Sequence, residues 1–141
     1  LKVGGEVHSI VIVTHGELAA GLIQAAEMIV GQQEDLIPLH LKEMDSVEDL
    51  KDRIEEVLPA PNTKQGVLLM VDLPGASPFN ACARLAMERK NLAVITGANL
   101  PMLAEVLIKR KNSTLEELVE TAKKSGKEGI KDLDEILNPE S

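Results

Sequence analysis

Two short segments, Val7–Thr14 (VHSIVIVT) and Gly66–Val71 (GVLLMV), carry apolar and mostly β-branched residues without the alternation of a half-wet strand. A strand of that kind must be covered on both faces, as central strands of a parallel sheet are. The chain therefore needs helices on two sides of a sheet, and the intervening segments read as those helices. After Gly16, residues Leu18, Leu22, Ile23, Ala26, Ile29 and Val30 recur at helical spacing, with Gly31 just past the end as a C-cap. A second strand spans Leu36–Leu41. Pro38 has no N–H to give a neighbour, which puts that strand at an edge. Asp45 with Glu48 resembles a capping box for a helix bearing Val47, Leu50, Ile54, Val57 and Leu58, which stops at Pro59-Ala60-Pro61-Asn62.

After the Gly66–Val71 strand, Ser77 is expected to cap a helix with Pro78 in its first turn and Cys82, Leu85 and Ala86 facing inward. A fourth strand covers Leu92–Thr96. Gly97 and Asn99 then lead through Pro101 into a helix with Leu103, Val106 and Leu107. A last helix starts at Ser113 or Thr114 and ends near Gly126. Lys127–Leu137 is ambiguous. Ile130, Leu133, Ile136 and Leu137 suit a helix, while Glu128–Leu133 also reads as a short strand. Alternating strands and helices imply right-handed βαβ units. With the Pro38 strand at one edge, the expected fold class is α/β, a doubly wound four-stranded parallel sheet of order 2-1-3-4 with helices on both faces. Its topological switch point lies between the first and third strands.

Composition narrows the function. The 141 residues are the size of one domain, and 44% of them are hydrophobic, enough for a real core. A net charge of −8 and a single aromatic residue, Phe79, argue against nucleic acid, which is bound through Lys and Arg on phosphates and through stacking on bases. The Ile10–Val13 run is too short to span a bilayer. The one cysteine, Cys82, excludes an internal disulfide and any paired-cysteine zinc site. A lone thiol fits a reducing compartment, so a soluble cytoplasmic protein is expected. Residues 1–6 read as an N-terminal extension or an expression remnant, 7–137 as a single domain and 138–141 as a polar tail. No metal-ligand spacing, P-loop or Gly-x-Gly-x-x-Gly is present, so neither metal nor nucleotide cofactor is expected.

Chemistry in such a sheet gathers beyond the carboxyl ends of the strands flanking the switch point. Those ends deliver Thr14-His15-Gly16, Asp72-Leu73-Pro74-Gly75-Ala76-Ser77 and Thr96-Gly97-Ala98-Asn99. A His, an Asp and a Ser thus converge on one crevice. In one reading His15 is a nucleophile that takes a phosphoryl group, and Asp72 accepts its other ring N–H and fixes the tautomer. Backbone near Gly16 and Gly75, together with the helix start at Ser77, would offset the incoming negative charge. In a second reading Ser77 is a hydrolytic nucleophile with His15 as base. That reading fails at Pro78, because a nucleophile elbow needs the N–H of the following residue. His8 lies at the opposite end of the first strand and is expected to be structural. His40 ends the edge strand at the outskirts of the crevice, where a surface role is expected.

Thr14-His15-Gly16, Ala25-Ala26-Glu27-Met28 with Gly31, Asp72-x-x-Gly75-x-Ser77-Pro78-Phe79-Asn80 and Gly97-x-Asn99-x-Pro101-Met102-Leu103 occur in an order and spacing that resemble the IIA component of the mannose-family sugar phosphotransferase system (PTS). The resemblance covers about residues 8 to 133. It implies a phosphohistidine carrier, a phosphotransferase that accepts a phosphoryl group from the carrier protein HPr and passes it to a IIB component. The membrane IIC and IID components are then served indirectly. It also implies His15 as the phosphorylated residue, Asp72 as its partner, and Ser77 with nearby backbone as phosphate ligands. It further implies a homodimer in which a C-terminal strand, Gly129–Leu133 here, crosses to the partner's sheet. Leu73-Pro74 and Ala76 depart from the family's common residues and alter the crevice wall. No IIB domain follows in this sequence, so a separate acceptor polypeptide is expected. Two alternatives share the early His: a phosphocarrier subunit for dihydroxyacetone kinase, which would lack the Ser-Pro-Phe-Asn string, and a regulatory module read through its phosphorylation state.

Overall fold

A computed structural model describes residues 7–61 and 63–140. The extension at residues 1–6, Asn62 of the Pro59–Asn62 helix stop, and Ser141 of the tail lie outside the described residues. In chain order the elements are β1 (Ser9–His15), α1 (Leu18–Val30), β2 (Leu36–Leu41), α2 (Val47–Val57), β3 (Val67–Val71), α3 (Ser77–Glu88), β4 (Leu92–Ile95), α4 (Leu100–Lys109), a 3₁₀ turn at Arg110–Asn112, α5 (Leu115–Glu128) and α6 (Leu133–Leu137). The four strands are parallel in the order β2-β1-β3-β4, with the Pro38 strand at an edge.

The unbroken apolar runs have the cause inferred for them. Ile10, Val11, Ile12 and Val13 are all fully buried, and so is every residue of β3. Alternate residues enter two cores. Ile10, Ile12, Leu68 and Met70 pack with Leu103, Val106, Leu118 and Ala122 of α4 and α5. Val11, Val13, Leu69 and Val71 pack with Leu50, Ile54, Cys82 and Leu85 of α2 and α3. Each buried aliphatic side chain contributes about 1.5–3 kcal/mol, several times the propensity difference between ordinary residues in a helix. Packing onto the sheet, more than helix preference, therefore decides where these segments lie.

Local signals hold the ends. The buried Thr14 hydroxyl accepts the Ala19 N–H at 2.9 Å, steadying the start of α1, whose cap residue Glu17 makes no side-chain bond. Gly31 closes α1 at φ +87°, a conformation open to glycine. At the amino end of the sheet, His8 accepts the Gly66 N–H on Nδ1 at 3.0 Å and meets the Ser113 carbonyl through Nε2 at 2.9 Å. The His8 ring is thus a structural strap, as expected. The buried Arg110 guanidinium donates to the carbonyls of His8, Glu34 and Asp35 and to Gln33 Oε1, tying the α4 end to the same region.

Two local expectations are corrected. The capping box of α2 is Ser46 with Asp49, not Asp45 with Glu48. Asp45 is drawn instead to the Lys42 N–H and the Arg53 guanidinium. Ser77 is the first residue of α3, and Ala76 is its cap. Within the single chain the sheet has four strands, and residues 129–132 lie outside it. Helix α5 runs to Glu128, Gly129 turns, and α6 begins at Leu133 with Asp132 as its cap. Close packing sets that turn, because a Cβ on Gly129 would meet Pro101 of α4 at 2.5 Å. Leu133, Ile136 and Leu137 lie in α6, as their helical periodicity indicates.

Candidate functional site

The register of the sheet builds the site. Val13 of β1 pairs with Val71 of β3, so Thr14 and Asp72 lie side by side and the Asp72 carboxylate reaches the next residue, His15. One oxygen, Oδ2, accepts both the His15 backbone N–H at 2.9 Å and the imidazole Nδ1–H at 2.8 Å. The other oxygen, Oδ1, accepts the Leu73 N–H at 2.9 Å. Two donors from one residue on one oxygen fix both the loop and the ring. An ionised carboxylate can only accept, so the proton of the neutral ring sits on Nδ1 and the lone pair on Nε2. The His15 side chain is 48% exposed and that of Asp72 only 12%, so the carboxylate braces from below and the ring faces solvent.

The electrostatics follow. Partial burial pushes the Asp72 carboxyl up, but the hydrogen bonds from the His15 backbone and ring, the charge of that ring and the Leu73 N–H together hold it below its ordinary 3.8. Asp72 therefore remains an anion and an acceptor at neutral pH. The Asp72 carbonyl accepts the Gly97 N–H at 3.2 Å, and the Val71 carbonyl accepts the Ala98 N–H at 3.0 Å, which ties the β4–α4 turn to the end of β3. Asn99 caps α4 and also donates to the Gly126 carbonyl at 3.2 Å. The Gly97-x-Asn99 string is thus structural support for the carboxylate.

Ser77 and Gly16 line the same cleft as His15, together with Glu17, His40, Leu41, Lys42, Glu43 and Asp45. Because Ser77 is the first residue of α3, its hydroxyl is not spent on the cap. The first intrahelical bond of α3 comes from Asn80 to Ala76, so the N–H groups of Ser77 and Phe79 lie in the unsatisfied first turn, with Pro78 contributing none. Gly16 and Gly75 adopt φ +52° and +79°, and nothing lies within 4 Å of a Cβ built at either, so both leave open space beside the backbone. One expectation changes in detail: the N–H of Gly16 itself donates to the Leu41 carbonyl at 3.3 Å, anchoring the loop rather than facing the cleft as a free donor. Among the described residues no hydrogen bond joins Ser77 to the His15 ring, which removes the nucleophile–base contact a serine hydrolase requires.

The expected residues His15, Asp72, Gly16 and Ser77 therefore lie around one cleft, and Gly75 sits in the turn between Asp72 and Ser77. Sequence reasoning set His40 aside; its signal was its place at the carboxyl end of the strand next to β1. Among the described residues no group of three or more His, Cys, Asp or Glu side chains is placed to hold a metal ion, and no helix is long and apolar enough to cross a membrane.

Comparison with known proteins agrees with this arrangement. Residues 9–123 match the family model described as "PTS system fructose IIA component". The PTS system mannose-specific EIIAB component of Escherichia coli K12 is 39% identical over 126 residues, covering 89% of this chain. The chain spans only 39% of that relative's length. The PTS system fructose-specific EIIA component of Bacillus subtilis is 30% identical over 115 residues, covering 82% of this chain and 79% of that protein. The crystal structure of a phosphotransferase system component EIIA from Streptococcus agalactiae superposes with a TM-score of 0.81 at 29% identity, covering 89% of this chain and 97% of that one. With a carboxylate-braced histidine at the switch point of a 2-1-3-4 sheet and these relatives, the chain belongs to the mannose/fructose/sorbose family of phosphotransferase-system IIA components.

Proposed function

We propose that the chain is a phosphohistidine carrier in which Nε2 of His15 takes a phosphoryl group from HPr and yields it to a IIB component, the sugar being phosphorylated later at the membrane IIC and IID components. The observation that carries this reading is the double hydrogen bond from His15 to Asp72 Oδ2, which leaves Nε2 as the nitrogen with a free lone pair. In acceptance, the P–N bond of the donor breaks and its electron pair stays on the donor nitrogen. The Nε2 lone pair forms the new P–N bond, and the ring proton stays on Nδ1, hydrogen-bonded to the Asp72 carboxylate. As positive charge develops on the ring, the anionic carboxylate stabilises it.

The phosphoryl oxygens would be met by the Ser77 hydroxyl and the first-turn N–H groups of α3, in the space left beside Gly16 and Gly75. There is little covalent work for the protein beyond positioning and charge stabilisation. A cytoplasmic site of action fits a donor and an acceptor that meet in solution. A homodimer is part of the same reading. The outer edge of β4 is unpaired among the described residues, and Ile130, Leu133, Ile136 and Leu137 are exposed beyond it, surfaces that a second copy would cover. Sedimentation that gives a monomer at working concentration would remove that part.

The test is incubation with phosphoenolpyruvate, the general phosphotransferase enzyme I and HPr. Base-stable, acid-labile label is expected on the wild type and absent from a folded His15→Ala variant. Label that persists in the variant would exclude this site.

A further inference from the structure

Strand β1 is apolar from Ile10 to Val13 and then turns polar at Thr14, a position that is still fully buried. A valine has nearly the same shape and no hydroxyl to desolvate. A hydroxyl in such a place needs a hydrogen bond that offsets its burial. The bond it makes is with the Ala19 N–H, 2.9 Å from Oγ1. Ala19 lies five residues on, in the first turn of α1. The bond therefore closes a short ring of chain, and His15 stands inside that ring.

The same stretch of chain is tied to the sheet elsewhere. The His15 N–H and imidazole bind Asp72, just beyond β3, and the Gly16 N–H binds the Leu41 carbonyl of β2. Those bonds act on residues 15 and 16. Gly16 sits at φ +52°, a conformation that glycine enters and leaves without steric cost. Glu17, the cap residue of α1, makes no side-chain bond to the helix. Among the described residues, the Thr14 hydroxyl is thus the side-chain group that fastens the amino end of α1 back onto β1. Asp72 fixes which ring nitrogen carries the proton; Thr14 fixes where the backbone that carries the ring comes to rest.

Resting on the phosphocarrier reading, we propose that Thr14 is a positioning residue for phosphoryl transfer: through Ala19 it holds the His15–Leu18 turn so that Nε2 meets the incoming phosphorus in line. It acts through the turn and takes no part in the P–N bond exchange. Without the hydroxyl, the N–H of the fully buried Ala19 loses its partner, and the turn shifts toward any arrangement that satisfies it. A reacting atom displaced by about 1 Å loses up to ~100-fold in rate.

The test compares Thr14→Val and Thr14→Ser with wild type in the full chain. Phosphoryl acceptance from HPr, itself loaded with phosphoenolpyruvate and enzyme I, is followed by rapid quench over a range of HPr concentrations. The ring nitrogens of His15 are read by NMR. Thr14→Val should accept about tenfold more slowly at saturating HPr, with the half-saturating HPr concentration within about twofold of wild type. Its ring proton should remain on Nδ1. Thr14→Ser restores the acceptor and should return the rate to within about threefold of wild type. A hydroxyl that is only structural would lower the unfolding midpoint of Thr14→Val and leave the rate per folded molecule unchanged, which overturns the inference. A Thr14→Ser protein as slow as Thr14→Val overturns it too, as does a ring proton moved to Nε2 in Thr14→Val, which would assign the loss to Asp72. If Thr14→Val does not fold, Thr14→Ala takes its place in the same comparison; if neither folds, the hydroxyl is structural and the inference fails. All these outcomes leave the phosphocarrier reading standing, whereas no label on His15 of wild type would sink both.

Discussion

Replacing Asp72 by Asn keeps the shape of the side chain and removes only its charge and one acceptor. The carboxylate takes three hydrogen bonds, two from His15 on Oδ2 and one from Leu73 on Oδ1. An amide has one acceptor oxygen. If that oxygen faces His15, the NH₂ confronts the Leu73 N–H. If the amide flips, its NH₂ confronts the His15 N–H and forces Nδ1 to accept, which moves the ring proton to Nε2 and abolishes the nucleophile. In the milder orientation the two bonds lose their charge assistance, worth about 1–1.5 kcal/mol each at sites like this. Discounted for the half-exposed ring, the sum falls to about 1–2 kcal/mol of transition-state stabilisation. That corresponds to roughly 5- to 30-fold in rate. The flipped orientation would cost more, toward the ~10⁴-fold seen when a triad histidine is left in the wrong tautomer. Rapid-quench measurement of phosphoryl acceptance from HPr reads the rate, and thermal unfolding confirms the fold. A folded Asp72→Asn protein within threefold of wild type would refute the assignment of Asp72 as the residue that sets the tautomer.

Ser77→Ala should slow phosphoryl acceptance several-fold with unfolding unchanged, because the hydroxyl is not the cap of α3; loss of stability instead would mean the hydroxyl is structural. His8→Ala should do the reverse. It leaves the Gly66 N–H and Ser113 carbonyl without their partners, a cost of about 1–3 kcal/mol in urea unfolding, with transfer rates kept. Asp72 also predicts a pH signature. Its carboxyl lies below the ordinary 3.8 in the folded protein, so its stabilising contribution is complete above 3.8 and is lost as pH falls through the lower folded value. The stability gap between wild type and Asp72→Asn should therefore close at acid pH, and a gap that widens there would contradict the sign.

How much of this was legible depended on the range of the interaction. The runs in β1 and β3 report burial on two faces, and Pro38 reports an edge, because each is a statement about a residue's own backbone or surroundings. Together they yielded the strand order and hence the switch point, with His15 and Asp72 on either side of it. Signals one residue apart were not separable. Asp45-x-x-Glu48 and Ser46-x-x-Asp49 both fit a capping box, and the choice was made by Arg53, eight residues on from Asp45. Ser77 shows the same limit, since the helix begins one residue earlier in the turn than its side chain suggests. The turn at Gly129 goes with a close approach to Pro101, which no local pattern encodes. Arg110 and His40 were passed over for a related reason. Each is a polar residue whose burial is set by distant segments, and no periodicity marks it.

The central claim is a statement about one nitrogen atom. Phosphorus NMR of the enzymatically loaded wild-type chain distinguishes the two phosphohistidine isomers. With Nδ1 donating to Asp72, the phosphoryl group should reside on Nε2 of His15. A phosphoryl group on Nδ1, or on Ser77, would contradict the account.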